Sequence, residues 1–317
     1  MPLSLDFAFE GFRIIREKPK LILFWGIVLL IGGALAEVLM VAIAGADMDR
    51  MQALGPARMM AAMANPNPDP AMLAAAQNVV VASLAALPIL LVTSAILSCA
   101  VFRATWIQSV GIQGSVGGEG KAADRFGYLS VGADEVRQLA VTVLYYLLGM
   151  VLIVADSVVA NLIGSLGGAA GQALGAALSL AGLVVIFLVM VRLSLSTVQS
   201  FDRKKIDLFG SWRLTSKHGW TLLGGYVVTG VMAVFVYTLC SGIFGAIVVA
   251  ANGAQWATVD HLVHTDATSL QAYFTPLRIV TLVIGNLLVS PLLVALITGA
   301  SAAAYRTLAG HTPDPGV

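Results

Sequence analysis

The sequence predicts an all-α, polytopic membrane protein with six transmembrane helices. Apolar residues make up 58% of the chain and charged residues only 11%, against about 25% charged in an average soluble domain. A chain so poor in charge cannot cover a water-facing surface, so lipid must solvate much of it. Six apolar runs are each long enough to cross the hydrocarbon core. The segments between them alternate between rich and poor in cations.

The distribution of cations predicts how the chain is threaded. The stretch Arg192–Trp220, between the fourth and fifth apolar runs, holds six of the 18 Lys and Arg residues. The N-terminal segment, the second and fourth loops and the tail together hold 15 cations, and the other three loops hold 3. Cations collect on the cytoplasmic side of membrane proteins. We therefore expect both termini to be cytoplasmic.

The N-terminal 20 residues are typical of a short amphipathic helix. Phe9 and Phe12 form an apolar stripe beside a basic edge that begins at Arg13, and Pro19 ends the helix. Such a helix lies in the headgroup plane of the membrane. We expect it to introduce the first span.

The first span is predicted over Leu21–Ala44, interrupted only by Glu37. A signal peptide is the alternative, because Ala34, Leu35 and Ala36 resemble a small-residue cleavage site. The apolar sequence continues past that site through Ala44, whereas the apolar region of a signal peptide is usually shorter. We interpret the segment as a membrane span.

The loop that follows contains a methionine-rich segment over Met48–Met63, predicted as a separate helix on the membrane surface. A proline-broken stretch then leads into the second span, Val79–Phe102, in which Pro88 predicts a kink. The third span is predicted over Leu139–Val159. Its helix begins near Asp134 and Glu135, acidic residues that the helix dipole favours in the first turn.

The fourth span, Ala169–Val191, begins with small residues at every fourth position: Gly167, Gly171 and Gly175. This spacing forms a groove that lets a second helix approach closely. We expect the groove to pack against the third span, with an oligomer contact as the alternative.

The fifth and sixth spans are predicted over Trp220–Val249 and Leu277–Tyr305. We treat residues 1–306 as a single transmembrane domain and residues 307–317 as a short mobile tail on the cytoplasmic side.

An aromatic and basic stretch precedes each odd-numbered span, at Phe9–Pro19, Arg125–Arg137 and Leu208–Gly219. This repetition predicts three helical hairpins, each introduced by an interfacial amphipathic helix on the cytoplasmic side. The alternative is that any segment next to a membrane collects aromatic rings and cations. The predicted lipid-headgroup contacts are Phe12, Arg13, Arg192, Trp212, Arg213 and Lys217.

Arg192 lies at the inner end of the fourth span. We expect its side chain to extend to lipid phosphate. The alternative is an intramolecular network with Asp202 or Glu135.

Two stretches carry a resemblance to a known family. The motif Arg192–Ser196 (RLSLS), followed by Gly210–Trp220 (GSWRLTSKHGW), resembles a signature of bacterial polytopic inner-membrane proteins. These are related to the membrane domain attached to some glycerophosphodiester phosphodiesterases. Thr197, Val198 and Gln199 stand where such proteins often have small residues and proline, and no catalytic domain follows the sixth span in this sequence. The resemblance implies a bacterial inner-membrane location and work related to lipid.

The sequence contains no pattern typical of an enzyme active site. Its four histidines, without a His-Arg-Gly triplet, do not supply a phosphodiesterase metal site, and neither a phosphate-binding loop nor a nucleophile elbow occurs. His261 and His264, near Asp260 and Asp266, are the best metal-like cluster. A solvated loop is the preferred interpretation of that cluster, so we expect no metal, no cofactor and no enzymatic activity.

Three polar residues inside apolar runs are candidates for a shared polar cavity: Glu37, Asp156 and Asn286. Intramembrane carboxylates are typical of transport pathways. Glu37 and Asp156 are, however, both predicted near the extracytoplasmic ends of their spans. The alternative is that both are hydrated at the interface.

Three functions remain open from the sequence. The preferred one is a non-enzymatic membrane protein that binds lipid or organises the envelope. The second is a transporter or lipid-moving protein with a polar cavity between hairpins, and the third is a subunit that binds a partner protein. We expect membrane lipids as the partners, a second copy of the chain or another membrane protein as the alternative, and no nucleic acid.

Overall fold

The protein is an all-α membrane protein, as the sequence predicts. A computed structural model describes residues 4–63, 69–110, 126–252 and 266–310, and these ranges contain no β-strand. Six helical runs within them are long and apolar enough to cross a membrane: Lys20–Leu54, Pro70–Trp106, Ala133–Ser165, Gly168–Arg203, Gly219–Ala250 and Pro276–Ala309. The prediction of six spans is confirmed.

The helices are labelled in chain order. They are α1 (Glu10–Glu17), α2 (Lys20–Met63), α3 (Pro70–Val110), α4 (Ala133–Ser165), α5 (Gly168–Leu193), α6 (Ser196–Arg203), α7 (Gly210–Thr215), α8 (Gly219–Asn252), α9 (Leu270–Tyr273), α10 (Pro276–Ile284) and α11 (Ser290–Ala309).

The first two spans pair as an antiparallel hairpin. The amide of Asn78 donates to the carboxylate of Asp47 across it, at 2.8 Å, and Gly32 packs directly against Thr93. The helix predicted over Met48–Met63 is present, but it is the last part of α2, which runs unbroken from Lys20 to Met63, and not a separate helix. Apart from Gly55 and Pro56, that segment consists mostly of residues with good helix propensity, so the helix continues where the apolar run ends.

The third and fourth spans pack closely along the glycine groove. A methyl group built on Gly175 would lie 2.6 Å from the carbonyl oxygen of Ala160, and one built on Gly171 would lie 3.2 Å from that of Gly164. The backbones of α4 and α5 are therefore in contact there, and only glycine fits. The groove packs within the chain.

The sixth span is interrupted. Between α10 and α11, residues Gly285–Val289 form one turn of π-helix. Gly26 of α2 faces this turn, and a methyl group built on it would clash with the carbonyl oxygen of Leu287. Thr275 accepts the N–H of Arg278 and caps the N-terminus of α10.

The described chain divides into two compact units. Unit 1 comprises the described residues within 1–17, 95–231 and 294–317, and unit 2 comprises those within 18–94 and 232–293. The core of unit 1 includes Phe7, Phe102, Leu195, Leu222 and the run of small residues before Tyr305. The core of unit 2 includes Val41, Ala267 and Tyr273.

The short helices are more buried than the sequence suggests. In α1 and the turn before it, Phe7, Ala8, Gly11 and Ile14 are buried, whereas Phe9 is exposed. The packed face therefore differs from the predicted stripe. A methyl group on Gly11 would lie 2.5 Å from the backbone of Leu296, so α1 lies directly on α11.

Two of the predicted interfacial segments, those before the third and fifth spans, differ from the helices expected there. Before the third span, residues 126–132 form a turn and an extended stretch, and the helix begins only at Ala133, where the carboxylate of Glu135 accepts the N–H of Gly132. Before the fifth span, α7 begins at Gly210 and ends at Thr215, so it covers only part of the predicted stretch Leu208–Gly219. The N–H of Gly210 donates to the carboxylate of Asp207, in the segment before the helix.

Candidate functional site

A basic and aromatic cluster lies in unit 1, where α5 ends and α8 begins. Its geometry follows from α7, whose Ser211 and Thr215 hydroxyl oxygens each lie 3.2 Å from the main-chain carbonyl oxygen of Arg192, while the Thr215 hydroxyl also donates to the carbonyl of Ser211 at 2.9 Å. Carbonyls in the last turn of a helix have no partner within that helix. The two hydroxyls, four residues apart on one face of α7, satisfy this carbonyl and fix α7 against the end of α5.

This docking places Trp212 against Arg192. The guanidinium carbon of Arg192 lies 5.0 Å from the centre of the Trp212 ring, within the range of a cation–π contact. The contact restrains the guanidinium but leaves its N–H groups free to donate in their own plane. Arg192 is therefore partly ordered before any ligand arrives.

A cavity of about 300 Å³ opens beside this pair. The residues that line it are Val185, Leu188, Val189, Val191, Arg192, Trp212, Ser216, Lys217, Gly219, Trp220 and Thr221. They come from the last part of α5, from α7 with the turn after it, and from the first turn of α8. The wall formed by α5 is apolar except for Arg192, and the rest of the lining is basic, aromatic or small and polar.

The electrostatics of this cavity are unbalanced. Arg192 and Lys217 both line it, and no carboxylate is among its lining residues. The N-terminus of α8 adds a partial positive charge, and a methyl group built on Gly219 in that turn would lie 3.8 Å from Nε of Arg192. Three positive groups that repel one another therefore surround one space. An anion placed there would relieve the repulsion.

The structure brings together three of the six predicted headgroup residues: Arg192, Trp212 and Lys217. Phe12 and Arg13 lie on α1, where Arg13 donates to Glu10 at 2.6 Å, and the exposed Arg213 does not line the cavity. Sequence reasoning missed Trp220 as a member of the site. Its position three residues after Lys217 was the available signal.

The alternative role predicted for Arg192, a network with Asp202 or Glu135, is not what the structure shows. Glu135 accepts from Arg103 at 2.6 Å, and Asp202 accepts from the hydroxyl of Tyr305 at 2.8 Å. Both carboxylates already have partners in unit 1.

The residues predicted to share a polar cavity fall in different units. Asp156 belongs to unit 1, where it accepts from the hydroxyl of Ser179 at 3.0 Å between α4 and α5. Glu37 and Asn286 belong to unit 2. The amide of Asn286 donates to the carbonyl of Leu282 within the sixth span, at 3.1 Å, and its side chain faces Gly33.

Glu37 forms an ion pair that the sequence did not predict. Arg278 donates to its carboxylate at 3.1 Å and to the hydroxyl of Tyr273 at 2.6 Å. The guanidinium also lies 5.0 Å from the centre of the Tyr273 ring. Burial, and then the charge of Glu37, raise the pKa of Tyr273. The signal for this pair was that Arg278 is the only Lys or Arg between Trp220 and Tyr305.

The metal-like cluster lies largely outside the described residues. His261, His264 and Asp260 fall in the range 253–265, which the structure does not describe. Asp266 is described, and its carboxylate accepts from the hydroxyl and the N–H of Thr268, which lowers its pKa. Among the described residues, no group of three or more His, Cys, Asp or Glu side chains is placed to hold a metal ion.

In comparisons with known proteins, no family model, no curated protein and no solved structure matches the chain. The resemblance to the membrane domain of glycerophosphodiester phosphodiesterases stays a prediction.

Proposed function

We propose that this protein is a non-enzymatic component of the bacterial inner membrane that binds anionic lipid headgroups. The binding site is the cavity beside Arg192. The observation that carries the proposal is the pairing of Arg192 and Lys217 around one space that no carboxylate lines. The threading expected from the cation distribution puts this cavity at the inner leaflet, where anionic lipids attract basic segments.

The apolar wall of the cavity favours a lipid over a soluble anion. Val185, Leu188 and Val189 continue from the basic end of α5 toward the middle of the span, and Val185 is 59% exposed. A phosphate held by Arg192 would place the attached acyl chains along this wall. Trp212 and Trp220 stand at the polar end, and tryptophan is the residue that membrane interfaces most favour.

The lining of the cavity supports a binding role over catalysis. Its members are two cations, two tryptophans, small or hydroxyl residues and aliphatic side chains. Hydrolysis of a phosphoester usually requires a general base or a metal held by carboxylates and imidazoles. None of the residues that line this cavity supplies either group.

The test compares two double variants of the full chain in detergent micelles doped with anionic lipid. Arg192→Gln with Lys217→Gln removes both cations of the cavity. Lys205→Gln with Arg213→Gln removes two exposed cations that do not line it. Each cation near an anionic lipid contributes about 1 kcal/mol, so the cavity variant should bind about 30-fold more weakly.

The control variant should lose less than about threefold in 0.15 M salt, because exposed charges are screened there. Bound lipid can be counted by native mass spectrometry of the intact protein. Equal losses in the two double variants would mean that the cavity is not the lipid site.

A second candidate function, the movement of lipid or solute, is favoured by one observation in unit 2. Glu37 and Arg278 form an ion pair beside a span that contains a π-turn at Gly285–Val289. Intramembrane ion pairs and π-turns both occur often at functional sites. Reconstituted protein that accelerates lipid exchange between leaflets, with the acceleration lost in Glu37→Gln, would favour this function over simple binding.

A further inference from the structure

The lipid that fits this cavity best can be specified further. This step rests on the proposed function. We infer that the cavity selects a phosphomonoester headgroup, which carries two negative charges, over a phosphodiester headgroup, which carries one. Phosphatidic acid is the simplest lipid of the first class, and phosphatidylglycerol is a matched member of the second.

The first argument is the count of charges. Arg192 and Lys217 contribute two full positive charges, and the N-terminus of the 34-residue helix α8 adds about half of one. No carboxylate among the lining residues offsets them. A phosphodiester would leave more than one positive charge uncompensated. A phosphomonoester dianion compensates both side chains.

The second argument is the number of donor groups. The guanidinium of Arg192 is one and the ammonium of Lys217 is a second. The third is the first turn of α8, where Gly219, Trp220 and Thr221 line the cavity. The first hydrogen bond of this helix runs from the N–H of Leu222 to the carbonyl of His218, at 2.9 Å. The N–H groups of the three lining residues come before it and therefore have no partner within the helix. A phosphomonoester has three terminal oxygens for three donor groups, whereas a phosphodiester has two.

The third argument is the restricted orientation of the donors. Arg192 is stacked on Trp212, and its main-chain carbonyl is fixed by Ser211 and Thr215. The planar fork of arginine binds two oxygens of one phosphate. The guanidinium of Arg192, held in one orientation beside the ammonium of Lys217, suits a compact and highly charged group.

The inference predicts a specific pH dependence. The second ionisation of a phosphomonoester occurs at about pH 6. A phosphodiester keeps one negative charge both above and below that pH. The charged side chains that line the cavity are Arg192 from α5 and Lys217 before α8, whereas Arg213 and His218, each next in sequence to a lining residue, do not line it.

The experiment measures binding to nanodiscs of phosphatidylcholine that contain one tenth phosphatidic acid or one tenth phosphatidylglycerol. The full chain is used, at pH 5.5 and pH 7.5, with Trp fluorescence and native mass spectrometry as readouts. One additional charged hydrogen bond corresponds to about tenfold in affinity. Phosphatidic acid should therefore bind about tenfold more tightly than phosphatidylglycerol at pH 7.5, and the preference should shrink at pH 5.5.

Two variants keep the result interpretable. Lys217→Gln removes the charge of an exposed side chain, and it should weaken binding of phosphatidic acid more than binding of phosphatidylglycerol. His218→Gln should keep the pH trend, because the trend belongs to the ligand. Glycerol 3-phosphate, a soluble monoester, should compete with phosphatidic acid but more weakly, because it lacks acyl chains for the wall at Val185.

Each outcome bears on a different statement. Equal affinity for the two lipids at both pH values, with binding still lost in Arg192→Gln/Lys217→Gln, would overturn the selectivity and leave the proposed function. Binding that survives in that double variant would overturn both. Competition by glycerol 3-phosphate at the same concentration as phosphatidic acid would assign the site to a free phosphate compound and overturn the lipid assignment.

Discussion

The ion pair between Glu37 and Arg278 makes a sharp prediction about the stability of unit 2. Glu37 comes from α2 and Arg278 from α10, and both side chains are about three quarters buried, with exposed fractions of 29% and 23%. At their separation of 3.1 Å, the gross attraction is about 5 kcal/mol at an effective dielectric constant of about 20. Desolvation of both groups offsets much of that energy.

Removal of one partner leaves the other charge without compensation in an apolar span. Exposed pairs contribute about 0–1 kcal/mol, and breaking a buried pair costs about 3–5 kcal/mol. For this intermediate burial we expect Glu37→Gln and Arg278→Gln each to cost about 2 kcal/mol. The double variant should cost about 1–2 kcal/mol less than the sum, because neither charge then stands alone.

The assay is thermal unfolding in nanodiscs of constant composition, followed by Trp fluorescence. A loss of about 2 kcal/mol should lower the midpoint by about 4–8 °C. The matched control is Arg50→Gln, because Arg50 pairs with Asp47 on the same helix at 3.4 Å but is 71% exposed. The control should shift the midpoint little. Additive effects in the double variant, or a Glu37→Gln shift no larger than that of Arg50→Gln, would refute the reasoning.

Two further predictions concern close packing and pH. Gly11→Ala should destabilise the protein by about 1–3 kcal/mol, because the new methyl group would meet the backbone of Ala295. Gly230→Ala has open space around the new methyl group, so it should be neutral or stabilise the protein by up to about 1 kcal/mol. Thermal midpoints of the two variants check this, and equal midpoints would contradict it. The raised pKa of Tyr273 means that its neutral form is favoured in the folded state, so stability should fall as the pH rises above the ordinary tyrosine pKa of 10.0. Between about pH 9 and pH 11.5, the Tyr273→Phe variant should therefore lose less stability than the natural chain. Identical pH profiles of the two proteins would contradict the raised pKa.

The spans could be predicted because lipid imposes a simple rule on the sequence. A run of about 20 residues without charge has few alternatives to a membrane helix, and the six runs were found from this rule alone. Their ends could not be found in the same way. Outside hydrocarbon, helix ends depend on propensity and capping, so α2 continues to Met63 and α4 to Ser165.

The helix α6 shows what pattern reasoning missed. Ser196–Arg203 is polar and lies in the predicted basic loop between the fourth and fifth spans. In the structure Ser196, Val198, Gln199 and Ser200 are buried. Asp207 supplies partners for two of the polar side chains: its carboxylate accepts from the amide of Gln199 at 2.9 Å, and its N–H donates to the hydroxyl of Ser200 at 3.2 Å. Burial of this kind depends on contacts between elements, which periodicity does not reveal.

The site was predictable in part, for a related reason. Trp212 and Lys217 belong to one short motif, and Arg192 lies at the end of the span before it, so local pattern indicated all three. The pairing of Glu37 with Arg278 joins residues 241 positions apart. Only the fold supplies that proximity. A single carboxylate and a single cation in otherwise apolar sequence indicated the two members but not their contact.

The partners of other largely buried cations in the described chain support the interpretation of the cavity as an anion site. Arg103 pairs with Glu135, Arg306 with Glu10 and Arg278 with Glu37, so each of these largely buried cations has a carboxylate partner. Arg192 is half-buried too, yet within the described residues it contacts a tryptophan ring and no carboxylate. A buried charge without a counter-ion is costly. Because the fold provides a counter-ion at the other three positions, the lack of a carboxylate partner for Arg192 among the described residues supports the proposal that an anion from outside the chain binds there.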